Sequence, residues 1–148
     1  AMYPDTLHIL LAEDDQDDRM LFTNVFDEIK MNHMLHICED GLSLMKYLQS
    51  TKEIPHILFL DLNMPQKSGI DCLKEIKNDP RLKDITIAIY SSFSIPSTIE
   101  QTFVLGANVY IKKPNDFESL RKILTEIIYI TWQYVTDGLN KENFMMNY

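Results

Sequence analysis

The sequence predicts an α/β fold in which helices cover both faces of a parallel β-sheet. Short apolar runs rich in Ile, Leu, Val or Tyr alternate along the chain with longer segments of helical period, which is the pattern of repeated βα units. The runs at 57–60 and 85–90 are apolar without strict alternation, as expected of strands that are buried on both faces. Together these observations indicate a three-layer α/β/α sandwich.

Each strand is placed where an apolar run is bounded by turn residues or by polar segments. Pro55 precedes the third run, and Pro65 and Gly69 bracket the loop that follows it, as is usual for residues that interrupt regular structure. The five expected strands lie near residues 8–13, 35–39, 57–61, 86–91 and 108–112.

The helices between these strands are predicted from apolar residues at helical spacing. Pro96 stands where the fourth helix would begin, a position that favours proline. In the last helix, Asn115 followed three residues later by Glu118 resembles a capping box. The first helix is marked by Leu21, Val25 and Ile29. The last helix has the clearest stripe, formed by Phe117, Leu120, Leu124, Ile127 and Ile128.

Length and composition indicate one acidic domain. The chain has 148 residues, of which 45% are hydrophobic, enough to build a core. Residues 7–131 are expected to form the domain, and residues 132–148 to prolong the last helix or to lie on the surface. A net charge of −8 disfavours direct binding to nucleic acid, which requires a basic face.

The sequence shows no signal for export or for insertion into a membrane. The N-terminus lacks a charged and then apolar pattern, and no apolar stretch approaches the ~20 residues that span a bilayer. A cytoplasmic location is therefore expected, and Cys38 and Cys72 would stay reduced there. Both cysteines are expected to be small residues of the core.

Acidic residues stand at the ends of two predicted strands. Asp61 follows the run at 57–60, and Glu13 and Asp14 follow the first apolar run. Because functional groups gather at the carboxyl ends of the strands in an open α/β sheet, these carboxylates are expected to face one another. A divalent cation would relieve their repulsion, and Mg²⁺ takes one or two carboxylates together with waters and phosphate oxygens. The sequence therefore predicts a Mg²⁺-assisted phosphate site.

Two further motifs stand at the ends of later strands. Ser91 closes the fourth strand, and the Lys113-Pro114 pair follows the fifth. In this order, and together with the two acidic motifs, they resemble the receiver domain of two-component response regulators over about residues 7–131. The resemblance implies a flavodoxin-like, doubly wound sheet of five parallel strands in the order 2-1-3-4-5.

The resemblance also implies a role for each motif. Asp61 would accept a phosphoryl group, with Lys113 pairing to one phosphoryl oxygen and the Ser91 hydroxyl donating to another. Pro114 would admit a cis Lys113-Pro114 peptide bond, which aims the ammonium inward. The ligands of Mg²⁺ would be Glu13, Asp14, Asp61 and the backbone carbonyl of Asn63.

The same resemblance implies that phosphorylation changes which partner the domain binds. Ser91 would move toward the phosphoryl group and the ring of Tyr110 would turn inward, which alters the face made by the fourth helix, the fifth strand and the last helix. The phosphoryl donor would be a histidine kinase or a histidine phosphotransfer protein. The altered face would bind a downstream protein or a second copy of the chain. Contacts to the kinase on the first helix would include Asp18, Arg19 and Phe22.

Three other functions remain open at this point. A phosphatase of the haloacid dehalogenase type also uses a strand-end Asp nucleophile, but it needs a second acid two residues on, where this chain has Asn63. A flavodoxin-like FMN carrier needs a phosphate-cradling loop after the first strand, where Glu13 and Asp14 would repel phosphate. A receiver-like interaction module that is never phosphorylated is disfavoured by the intact set of Glu13, Asp14, Asp61 and Lys113.

Overall fold

Six strands and five helices alternate along the part of the chain described by the structure, a computed structural model covering residues 6–137 and 145–148. The strands are β1 (Leu7–Ala12), β2 (His33–Cys38), β3 (Ile57–Leu60), β4 (Thr86–Ser91), β5 (Val109–Lys112) and β6 (Met146–Asn147). The helices are α1 (Gln16–Asp27), α2 (Gly41–Ser50), α3 (Gly69–Lys77), α4 (Pro96–Val104) and α5 (Phe117–Asp137). The first five strands lie within two residues of their predicted positions.

The strands form one parallel sheet in the order β2-β1-β3-β4-β5-β6. The predicted order of the first five strands is confirmed, and β6 corrects the prediction by adding a sixth strand beside β5. The backbone N–H of Tyr148 donates to the carbonyl of Tyr110 at 2.8 Å, and that of Met146 donates to Asn108 at 2.7 Å. These hydrogen bonds pair β6 with backbone groups on the open edge of β5. A strand of two residues is too short to be predicted from an apolar pattern.

The segment 132–148 divides into parts with different structure. α5 continues to Asp137, and β6 comprises Met146 and Asn147. The intervening residues 138–144 lie outside the described part of the chain. Within residues 6–137 and 145–148, none of the helices combines the length and the apolar character that crossing a membrane would require.

Apolar side chains on the two faces of the sheet form two separate cores. Leu58 and Ile87 belong to the core that contains α2 and α3, whereas Phe59 belongs to the core that contains α1 and α5. Every residue of β3 and β4 is buried, as predicted for strands covered on both faces. Cys38 and Cys72 are buried and unpaired, as predicted, and burial raises the pKa of each thiol to about 11.

Phe22 is a core residue, so its expected role as an exposed kinase contact is wrong. Its side chain is fully buried, and its ring lies 5.0 Å from that of Phe59 and 5.6 Å from that of Tyr90, both edge-on. The physical reason is helical phase, because Phe22 shares the buried face of α1 with Val25 and Phe26. Aromatic contacts of this kind hold α1 against β3 and β4.

Asp116, rather than Asn115, caps the N-terminus of α5, which corrects the predicted capping box. The backbone N–H of Ser119 donates to Asp116 Oδ1 and the Ser119 hydroxyl donates to Oδ2, both at 2.8 Å. The helix begins at Phe117, so Asp116 is the residue that borders its first turn and can reach the free N–H groups. These hydrogen bonds, first that of the backbone N–H, lower the pKa of Asp116.

We expect Asp116→Ala to lower the melting temperature at neutral pH, whereas Asn115→Ala should leave it nearly unchanged. Because the folded-state pKa of Asp116 lies below its unfolded value, the contribution of the cap is present above the ordinary Asp pKa of ~3.9. It is lost as the pH falls through the lowered folded-state pKa. The difference between Asp116→Ala and the parent should therefore shrink in acid. Circular dichroism melts at neutral and acid pH check this, and equal losses in both variants would show that Asp116 is not the cap.

Candidate functional site

Three carboxylates meet at the carboxyl ends of β1 and β3, as the sequence predicted. The backbone N–H of Asp61 donates to the carbonyl of Ala12 at 3.0 Å, which aligns the end of β3 with the end of β1. One oxygen from each of Glu13, Asp14 and Asp61 lies within 4.8 Å of the other two. Glu13 and Asp61 are buried, whereas Asp14 is exposed. The group is therefore open to solvent on the side of Asp14.

The carboxylate of Asp61 is oriented by the loop that follows β3. The backbone N–H of Asn63 donates to Asp61 Oδ1 at 3.0 Å, and the backbone N–H of Gly69 returns to the carbonyl of Leu62 at 3.0 Å. Gly69 lies so close to β3 that an added Cβ would stand 2.2 Å from the carbonyl oxygen of Asp61. Only glycine allows this approach, so the start of α3 fixes the backbone that carries Asp61.

Lys113 brings a positive charge into the acidic group from the end of β5. Its backbone N–H donates to the carbonyl of Ser91 at 2.7 Å. Its Nζ lies 2.6 Å from Glu13 Oε1, 2.9 Å from Asp18 Oδ2 and 3.2 Å from Asp61 Oδ2. The side chain of Lys113 is 9% exposed, whereas Lys112 is an exposed residue. The structure thus places Lys113, the lysine that precedes proline, in the site.

The expected cis Lys113-Pro114 peptide bond is not found, because the described residues contain no cis peptide bond. Trans is the favoured form even before proline, by roughly 0.5–1 kcal/mol. With the trans bond, Lys113 Nζ already donates a hydrogen bond to Asp61 Oδ2.

Burial and crowding control the charges of the site. Burial, and then the neighbouring carboxylate of Asp61, raise the pKa of Glu13 to about 8, although Lys113 opposes this. For Lys113, burial disfavours the charged ammonium, but close contacts with Glu13 and Asp18 outweigh it and raise its pKa. Glu13 Oε1 is buried, and the charged group against it is the ammonium of Lys113, which also lies close to Asp18 and Asp61.

These observations fit a divalent metal. Lys113 supplies one positive charge against the carboxyl groups of Glu13, Asp14 and Asp61, so negative charge remains in the group for a divalent cation to neutralise. The converging donors of Glu13, Asp14 and Asp61 are all carboxylate oxygens, which are the ligands that hard cations prefer. A metal would also offset the negative charge of Asp61, which adds to burial in raising the pKa of Glu13.

Ser91 and Tyr110 are linked through the backbone of one loop residue. The backbone N–H of Phe93 donates to Ser91 Oγ at 3.2 Å, and the hydroxyl of Tyr110 donates to the carbonyl of Phe93 at 2.7 Å. Ser91 and Tyr110 are both buried, so the ring of Tyr110 already points inward in this structure. The end of β4 and the middle of β5 are thus joined by hydrogen bonds through the loop after β4.

Asp18 and Arg19 take part in the site, which the sequence did not predict. Asp18 contacts the ammonium of Lys113, and Arg19 Nη1 donates to the carbonyls of Glu13 at 3.2 Å and Asp14 at 2.8 Å. Both were expected to be kinase contacts on the outside of α1. The sequence could have predicted this, because both residues lie in the first turn of α1, which directly follows the acidic motif at the end of β1.

An aspartate beside other carboxylates and a lysine, with a serine at the end of the neighbouring strand of a doubly wound parallel sheet, defines a class of domain that exchanges phosphoryl groups. The chain belongs to the family of response regulator receiver domains, whose sequence profile matches residues 9–125. Domains of this family take phosphoryl groups from histidine kinases or phosphotransfer proteins in phosphorelay signalling. The family membership and the fold predicted from the sequence are confirmed.

Individual relatives agree with this assignment. The chain is 33% identical to the response regulator Rcp1 of Synechocystis sp. over 124 residues, covering 80% of this chain and 84% of that protein. The structure of the Mn²⁺-bound form of Rcp1 matches with a TM-score of 0.74 at 32% identity, covering 84% of this chain and 91% of that one. The phosphorylated cyanobacterial phytochrome response regulator RcpA matches with a TM-score of 0.78 at 28% identity, covering 90% of this chain and 96% of that one.

Proposed function

We propose that this receiver domain accepts a phosphoryl group on Asp61 from a histidine kinase or a histidine phosphotransfer protein, with Mg²⁺ as the metal. The observation that carries the proposal is the setting of Asp61. It is a buried carboxylate within reach of a lysine ammonium, and two further carboxylates complete a metal site beside it. The phosphorylated state of RcpA and the Mn²⁺-bound state of Rcp1 support the proposal by analogy.

The chemistry assigned to Asp61 is nucleophilic attack on phosphorus. One Asp61 oxygen forms a P–O bond while the P–N bond to the histidine of the donor breaks, and the electron pair of that bond stays on the imidazole nitrogen. Lys113 Nζ lies 3.2 Å from Asp61 Oδ2. After the transfer it would pair with a negatively charged phosphoryl oxygen. The backbone N–H of Asn63 holds the other carboxylate oxygen in place. The domain would catalyse only its own phosphorylation and dephosphorylation.

The metal ligands we assign are the three carboxylates together with the backbone carbonyl of Asn63. When bound, Mg²⁺ would neutralise charge on the phosphoryl oxygens and screen the carboxylates from one another. Arg19 keeps the carbonyls of Glu13 and Asp14 fixed, which holds the backbone of the acidic motif in place. The ligands would be Glu13, Asp14, Asp61 and Asn63.

The switch we propose uses the link between Ser91 and Tyr110. When the hydroxyl of Ser91 turns to a phosphoryl oxygen on Asp61, the N–H of Phe93 loses its acceptor. The carbonyl of Phe93 is the acceptor of the Tyr110 hydroxyl, so movement of this loop reaches β5. The loop and α4 carry exposed apolar side chains, including Ile95 and Val104, and this face would bind the downstream protein or a second copy of the chain.

Removal of the metal is the test of this proposal. We expect a gain of one phosphoryl group when the protein is incubated with a small phosphoryl donor such as acetyl phosphate or phosphoramidate in the presence of Mg²⁺. The gain should be absent in excess EDTA, because the clustered carboxylates would then repel the incoming phosphoryl group. Intact-mass spectrometry measures both. An equal gain in EDTA would refute the metal-assisted mechanism, and no gain under either condition would favour an interaction module that is not phosphorylated.

The cytoplasm is the location we propose, because the phosphoryl groups of histidine kinases derive from ATP in that compartment. A flavin carrier is not supported, since carboxylates occupy the edge of the sheet where a flavin phosphate would lie.

A further inference from the structure

The ammonium of Lys113 contacts a third carboxylate that belongs to neither the acidic motif nor the phosphoacceptor. Nζ donates to Asp18 Oδ2 at 2.9 Å, a shorter distance than the 3.2 Å to Asp61 Oδ2. The carboxylate of Asp18 is 32% exposed, whereas those of Glu13 and Asp61 are almost fully buried. Lys113 therefore lies between the buried carboxylates of Glu13 and Asp61 and the partly exposed carboxylate of Asp18.

Glu13 contacts the ammonium of Lys113 and is also placed to bind a metal ion. It lies 2.6 Å from Lys113 Nζ, and it is also one of the three carboxylates whose oxygens converge as a metal site. A divalent cation bound there would take the charge of Glu13 and would repel the neighbouring ammonium. Lys113 would then need another anion, and Asp18 is the carboxylate in contact with it that is not part of the converging set.

The position of Asp18 is fixed by the start of α1. Its backbone N–H donates to Oδ1 of Asp15, which caps the helix, at 3.0 Å. The next residue, Arg19, is held by the carbonyls of Glu13 and Asp14. The carboxylate of Asp18 thus stands on the first turn of a helix that is tied to the acidic motif. On another side, Lys113 Nζ lies 5.3 Å from the centre of the Tyr90 ring, which confines the ammonium further.

We infer that Asp18 is a positioning residue, which holds the ammonium of Lys113 beside Asp61 while a divalent cation occupies the carboxylates of Glu13, Asp14 and Asp61. This inference rests on the proposed function and deepens it. With a cation bound to the other carboxylates, Asp18 would keep the ammonium of Lys113 beside Asp61, where it could pair with a phosphoryl oxygen. Without Asp18, the carboxylates left against the ammonium among residues 6–137 and 145–148 would be Glu13 and Asp61, and the ammonium would compete with the metal for them.

The test is the affinity for Mg²⁺, measured by isothermal titration calorimetry on the metal-free protein. We expect Asp18→Asn to weaken Mg²⁺ binding roughly tenfold, comparable to the loss of one charge-assisted hydrogen bond. Asp17→Asn is the matched control, because it removes the same charge from the neighbouring exposed residue of the same turn. It should change the affinity much less. Equal effects of the two variants would overturn the inference, since only the net charge would then matter.

A double-mutant cycle shows whether Asp18 acts through Lys113. In a Lys113→Ala background, Asp18→Asn should have no more effect on Mg²⁺ affinity than Asp17→Asn, because no ammonium remains to be held. A persistent tenfold effect in that background would overturn the inference. Asp18→Glu keeps a carboxylate and should restore most of the affinity; if it binds Mg²⁺ as weakly as Asp18→Asn, the positioning role is refuted.

Failure of this inference is distinguishable from failure of the proposed function. The proposed function fails if the parent protein gains no phosphoryl group with Mg²⁺, whatever the behaviour of the Asp18 variants. The inference fails if the parent is phosphorylated but Asp18→Asn binds Mg²⁺ like Asp17→Asn. Circular dichroism melts of each variant establish that the protein tested is folded.

Discussion

Asp61→Asn is expected to abolish phosphorylation of this protein by a small phosphoryl donor. The side-chain amide has nearly the shape of the carboxylate and can still accept the hydrogen bond from the backbone N–H of Asn63. It lacks the negatively charged oxygen that attacks phosphorus. The mass gain seen with Mg²⁺ in the parent should therefore fall below detection, while the fold is retained.

A second Asp→Asn change provides the control for this experiment. Asp71 is an exposed residue in the first turn of α3, and Asp71→Asn changes the net charge by the same amount without touching the site. It should gain one phosphoryl group like the parent. A mass gain that persists in Asp61→Asn would show that another residue is the acceptor, with Asp14 as the first alternative because its carboxylate is exposed.

Gly69→Ala is expected to destabilise the fold and to impair phosphorylation together. The new Cβ would stand 2.2 Å from the carbonyl oxygen of Asp61 and 2.7 Å from Cα of Leu62. Both are backbone atoms, so a side-chain rotation cannot relieve the clash and the chain after β3 must move. Overpacking of this kind costs about 1–3 kcal/mol, and the movement would displace the carboxylate of Asp61 from Lys113.

Urea denaturation measures the loss of stability, and the mass gain with a phosphoryl donor measures the loss of function. Gln16→Ala is the matched control, since Gln16 is the first residue of α1 next to the same site but is exposed. It should leave both quantities nearly unchanged. If Gly69→Ala is as stable as the parent and is phosphorylated as fast, the close approach of α3 to β3 is not what positions Asp61.

The order of the first five strands was predicted from the resemblance of the sequence motifs to those of receiver domains. The positions of the strands were predicted from the apolar runs in the sequence. β3 and β4 are continuous apolar runs that become fully buried, a pattern that is visible in sequence. The convergence of Glu13, Asp14 and Asp61 followed from a topological rule, because the carboxyl ends of adjacent parallel strands share one edge. These predictions depend on periodicity and connectivity, which a single sequence contains.

Features that depend on tertiary contacts were missed. β6 consists of two residues and exists through backbone hydrogen bonds to β5, so no side-chain pattern marks it. The role of Asp18 depends on Lys113, a residue 95 positions away. Phe22 was taken as a kinase contact from the family resemblance, and the apolar stripe of α1 was assigned through Leu21. The buried face instead includes Phe22, and a shift of one residue along a helix turns a side chain by about 100°.

The assignment of Asp61 as the phosphoacceptor is tested most directly by locating the phosphoryl group with borohydride reduction. The protein is phosphorylated in the presence of Mg²⁺ and treated with borohydride, which converts an aspartyl phosphate to homoserine, and the peptides are sequenced by tandem mass spectrometry. We predict homoserine in place of Asp61 and nowhere else, absent when Mg²⁺ is withheld. Homoserine in place of Asp14, or a phosphate on Ser91 that survives reduction, would contradict the assignment of Asp61 as the phosphoacceptor.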